Sequence, residues 1–176
     1  MIYFFSKFMG PEHVEIVVVP SSFDRARSGA ITGPVWLRHG RRDVPPTDFP
    51  EANWTDFPIV ILGWWLEALR SPRGAEVECS FMDGPFEFTV SGPMDTLARV
   101  CCFGRGIEAK VPVVEFFVPV RMLITSLLSA AASALAECDR RGWAGSDVEQ
   151  LRALLRSAAE RDAGGGAGPV GRQTPT

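Results

Sequence analysis

Carboxylates are the side chains in this sequence with the most chemical potential. Glu76, Glu78 and Glu87 are predicted to share the polar face of one β-hairpin, with Asp83 at its tip. Two carboxylates held close together, with pKa values driven apart by unlike surroundings, could do general acid–base work or cleave a glycoside. On an open sheet face they would be solvated and alike, which favours docking over catalysis. A second cluster is Arg38–His39–Gly40–Arg41–Arg42, whose guanidinium forks would suit an oxyanion. No aromatics interleave it to stack on bases, so it reads as a solvated loop after a strand. A nucleophile needs a base beside Ser or Cys, and the only imidazoles are His13 and His39. Cys79, Cys101, Cys102 and Cys138 show no C-x-x-C spacing and read as reduced, packed thiols. Gly104-x-Gly106 follows a strand but opens no helix, so it fails the dinucleotide-binding context. These patterns imply no metal, no cofactor and no catalytic set.

Charge is the other distinctive feature. The net charge of -3 is too small to argue for nucleic acid, but it hides an asymmetry. Residues 43–95 hold ten acids against only Arg70 and Arg73, a local balance of -8, between flanks that are slightly basic. An acidic docking surface assembled from Asp43, Asp48, Glu51, Asp56, Glu76, Glu78, Asp83 and Glu87 would attract a basic protein, less so as salt rises. Trp36, Trp54 or Trp143 could anchor such a contact. The apolar start, MIYFFSKFMG, is interrupted by Lys7, lacks a cleavage signal and reads as a first strand. No apolar stretch reaches the ~20 residues of a membrane span. The expectation is a cytoplasmic protein that binds neither membrane nor nucleic acid.

The elements that must position these residues follow from pattern. His13–Val19 is a β-branched strand, and Ala30–His39 is a second, bent at Gly33–Pro34. Thr55 or Asp56 caps a helix over Phe57–Arg70, with Pro58 in its first turn. That helix is apolar nearly all round, so it is expected at the centre with Trp64 and Trp65 in or near the core. Ala75–Ser91 is a hairpin about Asp83–Gly84, and only one register separates the faces. It sets Phe81 against Phe86, Cys79 against Phe88 and Val77 against Val90, with Glu78 and Glu87 on the polar side. Leu97–Phe103 and Ala109–Val118 complete a four-stranded meander. A long amphipathic helix over Val120–Arg141 follows, and Ser146-x-x-Glu149 signals a capping box for a last helix to about Arg161. Residues 163–176 have too little to bury and are expected to form a disordered tail. The fold class is therefore α+β in a single domain over residues 1–162. An antiparallel sheet of about six strands would pack against a central apolar helix and two C-terminal helices.

The stretch Trp54–Val90 has a Trp-Thr-Asp-Phe-Pro lead-in, a Trp-Trp-Leu-Glu-Ala-Leu helix and a Phe-Met-Asp-Gly-Pro-Phe hairpin. It resembles small bacterial immunity-type proteins of polymorphic toxin systems. The likeness implies a cytoplasmic non-enzyme that binds one cognate toxin domain and occludes its active site, and the acidic block would suit a toxin with a basic surface, such as a nuclease. A second reading is a subunit or adaptor of a larger assembly, with the helix pair Val120–Arg161 as its contact face. A third is an enzyme of unrecognised type, using the Arg38–Arg42 loop or the carboxylate face.

Overall fold

The computed structural model describes residues 13–44, 55–70, 76–82, 86–91, 97–105 and 110–164. The class is α+β, and the described strands fall into three antiparallel sheets rather than one. In the first sheet β1 (Val14–Val18), β4 (Val35–His39) and β5 (Arg42–Val44) lie in the order β1-β4-β5. A small ribbon pairs β2 (Asp24–Arg25) with β3 (Ile31–Thr32). The third sheet is the expected meander, β6 (Val77–Ser80), β7 (Glu87–Ser91), β8 (Leu97–Arg105) and β9 (Lys110–Pro119), in chain order.

The strand expected over Ala30–His39 is split at Gly33–Pro34. There Gly33 leaves the ribbon to exchange two main-chain bonds with Asp56, each 2.9 Å. Gly33 is required sterically. A Cβ at this position would lie 2.3 Å from the ring of Phe23.

Helix α1 (Pro58–Arg70) starts on Pro58, as its fixed φ favours. Its buried face includes Ile61, Leu62, Trp65, Leu66 and Leu69. Trp65 is fully buried, with Phe81 and Phe88 edge-on at 5.0 Å, but Trp64 is 44% exposed and not in the core. At 100° per residue adjacent positions diverge, so one indole enters the core and the next faces water. Helix α2 (Val120–Arg140) buries Leu123, Leu127, Ala131, Ala134 and Cys138, the expected stripe, and runs against β1. By length and composition alone α2 could also cross a membrane.

Helix α3 (Ser146–Gly164) packs on α1 and α2 and continues past the expected end, through residues 163 and 164. The anticipated capping box is not formed. Ser146 is already helical and its hydroxyl donates to Asp147 Oδ1 at 3.3 Å, while the Glu149 amide donates to the Gly145 carbonyl. The strand expected over residues 1–10 and the tail beyond residue 164 lie outside the described residues.

One apolar core joins the sheets and helices. His39 of β4 stacks flat on Phe116 of β9, centroids 3.9 Å apart, which ties the first sheet to the third. Arg141, the C-cap of α2, makes a long-range polar clamp. Its guanidinium donates to Glu137 and to the carbonyls of Ser21 and Phe23, and it lies over the Trp143 ring at 4.6 Å.

Candidate functional site

The hairpin that carries the carboxylates has the expected register. Val77 pairs with Val90, Glu78 with Thr89, Cys79 with Phe88 and Ser80 with Glu87, and the Phe81 amide closes on the Phe86 carbonyl at 3.2 Å. Alternation puts Cys79, Phe88, Val90, Val100 and Cys102 on the inner face toward Trp65, and Glu78, Thr89, Cys101 and Glu115 on the outer face.

The acidic surface is not assembled as expected. Glu76 and Glu78 are exposed on and beside β6, and Glu78 accepts a bond from the Ser80 hydroxyl at 3.0 Å. Glu87 is only 1% exposed, although it belongs to the outer face. Asp56 is also 1% exposed and is a structural acceptor: its carboxylate takes the Phe57 amide at 2.7 Å and the Met82 amide at 3.0 Å. It sits one residue ahead of the helix-capping position, so it fastens the start of α1 to the hairpin tip. Asp43 is paired bidentately with Arg38, at 2.7 and 3.2 Å, across β4 and β5. Asp48, Glu51 and Asp83 lie outside the described residues, as does Trp54. Of the eight carboxylates assigned to a docking surface, the structure places Glu76 and Glu78 together in solvent and removes Asp56 and Glu87 from it. Glu78 and Glu87 share the outer face of the hairpin yet differ in burial, and Asp56 belongs to no strand, so tertiary contacts rather than strand alternation decide which of these carboxylates water reaches.

Sequence reasoning missed an apolar strip on the outer face of the third sheet. Leu97 is 61% and Phe117 56% exposed, on paired strands β8 and β9. Beside them Arg99 forks onto Glu115 at 2.9 and 3.1 Å. That bond, foremost, raises the Arg99 guanidinium and lowers the Glu115 carboxyl from their ordinary pKa values. The available signal along VPVVEFFVP was Glu115, which shares a strand face with Phe117 and so marks that face as the one open to water.

The chemistry of the remaining groups is limited. All four cysteines are free and buried, and burial pushes the Cys102 thiol up to about 12 and Cys79 higher still, so neither is a thiolate nucleophile. Among the described residues no three His, Cys, Asp or Glu side chains gather as a metal site. A groove of ≈ 560 Å³ between β1 and α2 is lined by His13, Glu15, Arg121 and Ser126. There the Ser126 oxygen accepts the Ile16 amide at 2.7 Å, a bond that holds the strand edge. A cleft of ≈ 370 Å³ at the start of α3 includes Arg25, whose guanidinium donates to the Ala144 carbonyl at 2.8 Å. The Arg38–Arg42 cluster is a tight turn rather than an anion cradle. Gly40 takes φ 60°, Arg38 is engaged by Asp43, and His39 turns inward onto Phe116. The apolar stripe of the helix pair α2–α3 also faces the core.

Comparison with protein-family models, with curated proteins and with solved structures returned no match.

Proposed function

We propose that this chain is a protein-binding module of the immunity type, a cytoplasmic inhibitor that covers a basic surface of one toxin domain. The observation that carries the reading is the β6 margin of the third sheet. Glu76 and Glu78 stand exposed there, and Met82, 46% exposed, follows at the hairpin tip. An exposed apolar side chain on the same hairpin strand as exposed carboxylates suits a partner that offers cations around a hydrophobic pocket. Four thiols kept free fit a reducing compartment.

The test is binding to the C-terminal domain encoded by an adjacent toxin-like gene, measured by calorimetry at low and high salt. The double variant E76K/E78K should bind at least about tenfold more weakly, with most of the loss at low salt. Unchanged affinity at low salt would remove this surface from the reading. Glu87 and Asp56 are unsuitable for charge reversal because both are buried.

A further inference from the structure

We infer that a second copy of this chain pairs with the free edge of β9, so that two third sheets join as one continuous antiparallel sheet. Two other sheet edges, those of β6 and β1, are closed by side chains of helices. In antiparallel pairs, residues that exchange main-chain bonds alternate with residues whose groups point away. Phe81 bonds Phe86, so Cys79 and Val77 face β7 and the main chain of Ser80 points outward. The indole of Trp65 donates to that Ser80 carbonyl at 2.9 Å, so a side chain of α1 closes this edge at Ser80. On the first sheet, Gly40 bonds His13, so Ile16 points outward, and Ser126 of α2 accepts its amide. In each case a helix side chain closes the edge.

The same parity carried across β7 and β8 turns Val114, Phe116 and Val118 toward β8 and leaves the main chains of Glu115 and Phe117 pointing outward. Among the described residues no hydrogen bond reaches those main-chain groups. Both side chains are exposed. Pro112 and Pro119 bound a proline-free stretch over residues 113–118, which sets the length available for pairing.

The charges on this strand select its occupant. A two-fold axis through Glu115 would oppose like carboxylates, and one through Phe117 would set Glu115 against Pro119, which has no amide to give. An axis through Phe116 sets Glu115 of each copy against Phe117 of the other, and each such pair exchanges both of its main-chain bonds. Arg99, cross-strand from Phe117, then has its own Glu115 on one side and the second copy's Glu115 beyond the Phe117 ring. The surface is thus complementary to itself in charge and in hydrogen bonding, as an isologous contact requires.

Sedimentation of the full chain across concentration, together with amide exchange, tests the pairing. The expected result is a reversible dimer in which the Glu115 and Phe117 amides exchange at least about tenfold more slowly when concentrated than when dilute. F117D should raise the dissociation constant at least about tenfold, and L97D, on the same face but off the edge, should leave it unchanged. If F117D does not fold, the concentration dependence of wild-type exchange decides. A monomer at every concentration, exchange at these amides that ignores concentration, or a dimer lost equally in L97D would each overturn the inference. The last outcome would mean stacking by faces. A wild-type monomer whose Glu115 and Phe117 amides are protected only by a foreign strand would overturn it as well.

Discussion

Replacing Asp56 separates the two roles that its sequence position allows. As a docking residue it would tolerate change. As placed, its carboxylate holds the Phe57 amide at the start of α1 and the Met82 amide at the hairpin tip, with 1% of the residue exposed. A hydrogen bond to a charged acceptor contributes about 1.5–3 kcal/mol, and losing the acceptor leaves both donors without it. Both amides are only partly buried, so some of that loss returns as water enters. The negative charge next to the helix start adds about 0.5 kcal/mol. D56A should therefore lower unfolding stability by about 3 kcal/mol, a large share of the ~5–15 kcal/mol typical of a domain. D56N keeps one acceptor oxygen but loses the charge and turns an N–H toward the other donor, so about 1–2 kcal/mol is expected. Urea titration followed by tryptophan fluorescence measures both, with unchanged slope if the denatured state is unaltered. Amide exchange supplies the local readout: Met82 and Phe57 should accelerate together. A D56A loss under about 1 kcal/mol, or acceleration at Phe57 alone, would refute the fastening role.

Other outcomes follow from the same geometry. G33A should cost about 1–3 kcal/mol by denaturation, because the Phe23 ring occupies the space of the new methyl. The Arg140 hydrogen bond, and after it Arg141, pull the Glu137 carboxyl from its ordinary 4.5 down to about 2. A depressed carboxyl stabilises the fold above its unfolded pKa and loses that contribution as pH falls through the folded value. The stability gap between wild type and E137Q should thus be present at neutral pH and close between about 4.5 and about 2, as acid unfolding of both proteins would show. A thiol reagent should label none of the four cysteines at an appreciable rate in the folded protein and all of them in denaturant. Rapid labelling of Cys102 without unfolding would contradict its burial.

The hairpin was legible because its two faces differ so sharply that a one-residue slip would put Phe88 and Val90 in water. Helix limits were also legible, since Pro58, Pro119 and Gly142 punctuate the chain where local rules apply. The partition into separate sheets was not. It depends on α2 lying along β1 and on His39 reaching Phe116, contacts between residues far apart in sequence. The docking surface failed for the same reason. Charge counted along a sequence does not distinguish Glu78, in solvent, from Glu87, its near neighbour on the same face. Asp56 looked like a local cap, and its bond to Met82 spans 26 residues. The exposed strip at Leu97 and Phe117 was not legible either, because strand residues of this kind suit a core equally well and only the packing of the opposite face leaves these two in solvent.

The Ser126 hydroxyl that closes β1 lies 110 residues beyond the Ile16 amide it receives. A chain emerging from the ribosome therefore displays the margin of its first sheet long before the segment that seals it has been synthesised. Over that interval the nascent molecule is open to pairing with its neighbours on a polysome. Slowing translation upstream of α2 should increase aggregation, whereas slowing it after α2 should not.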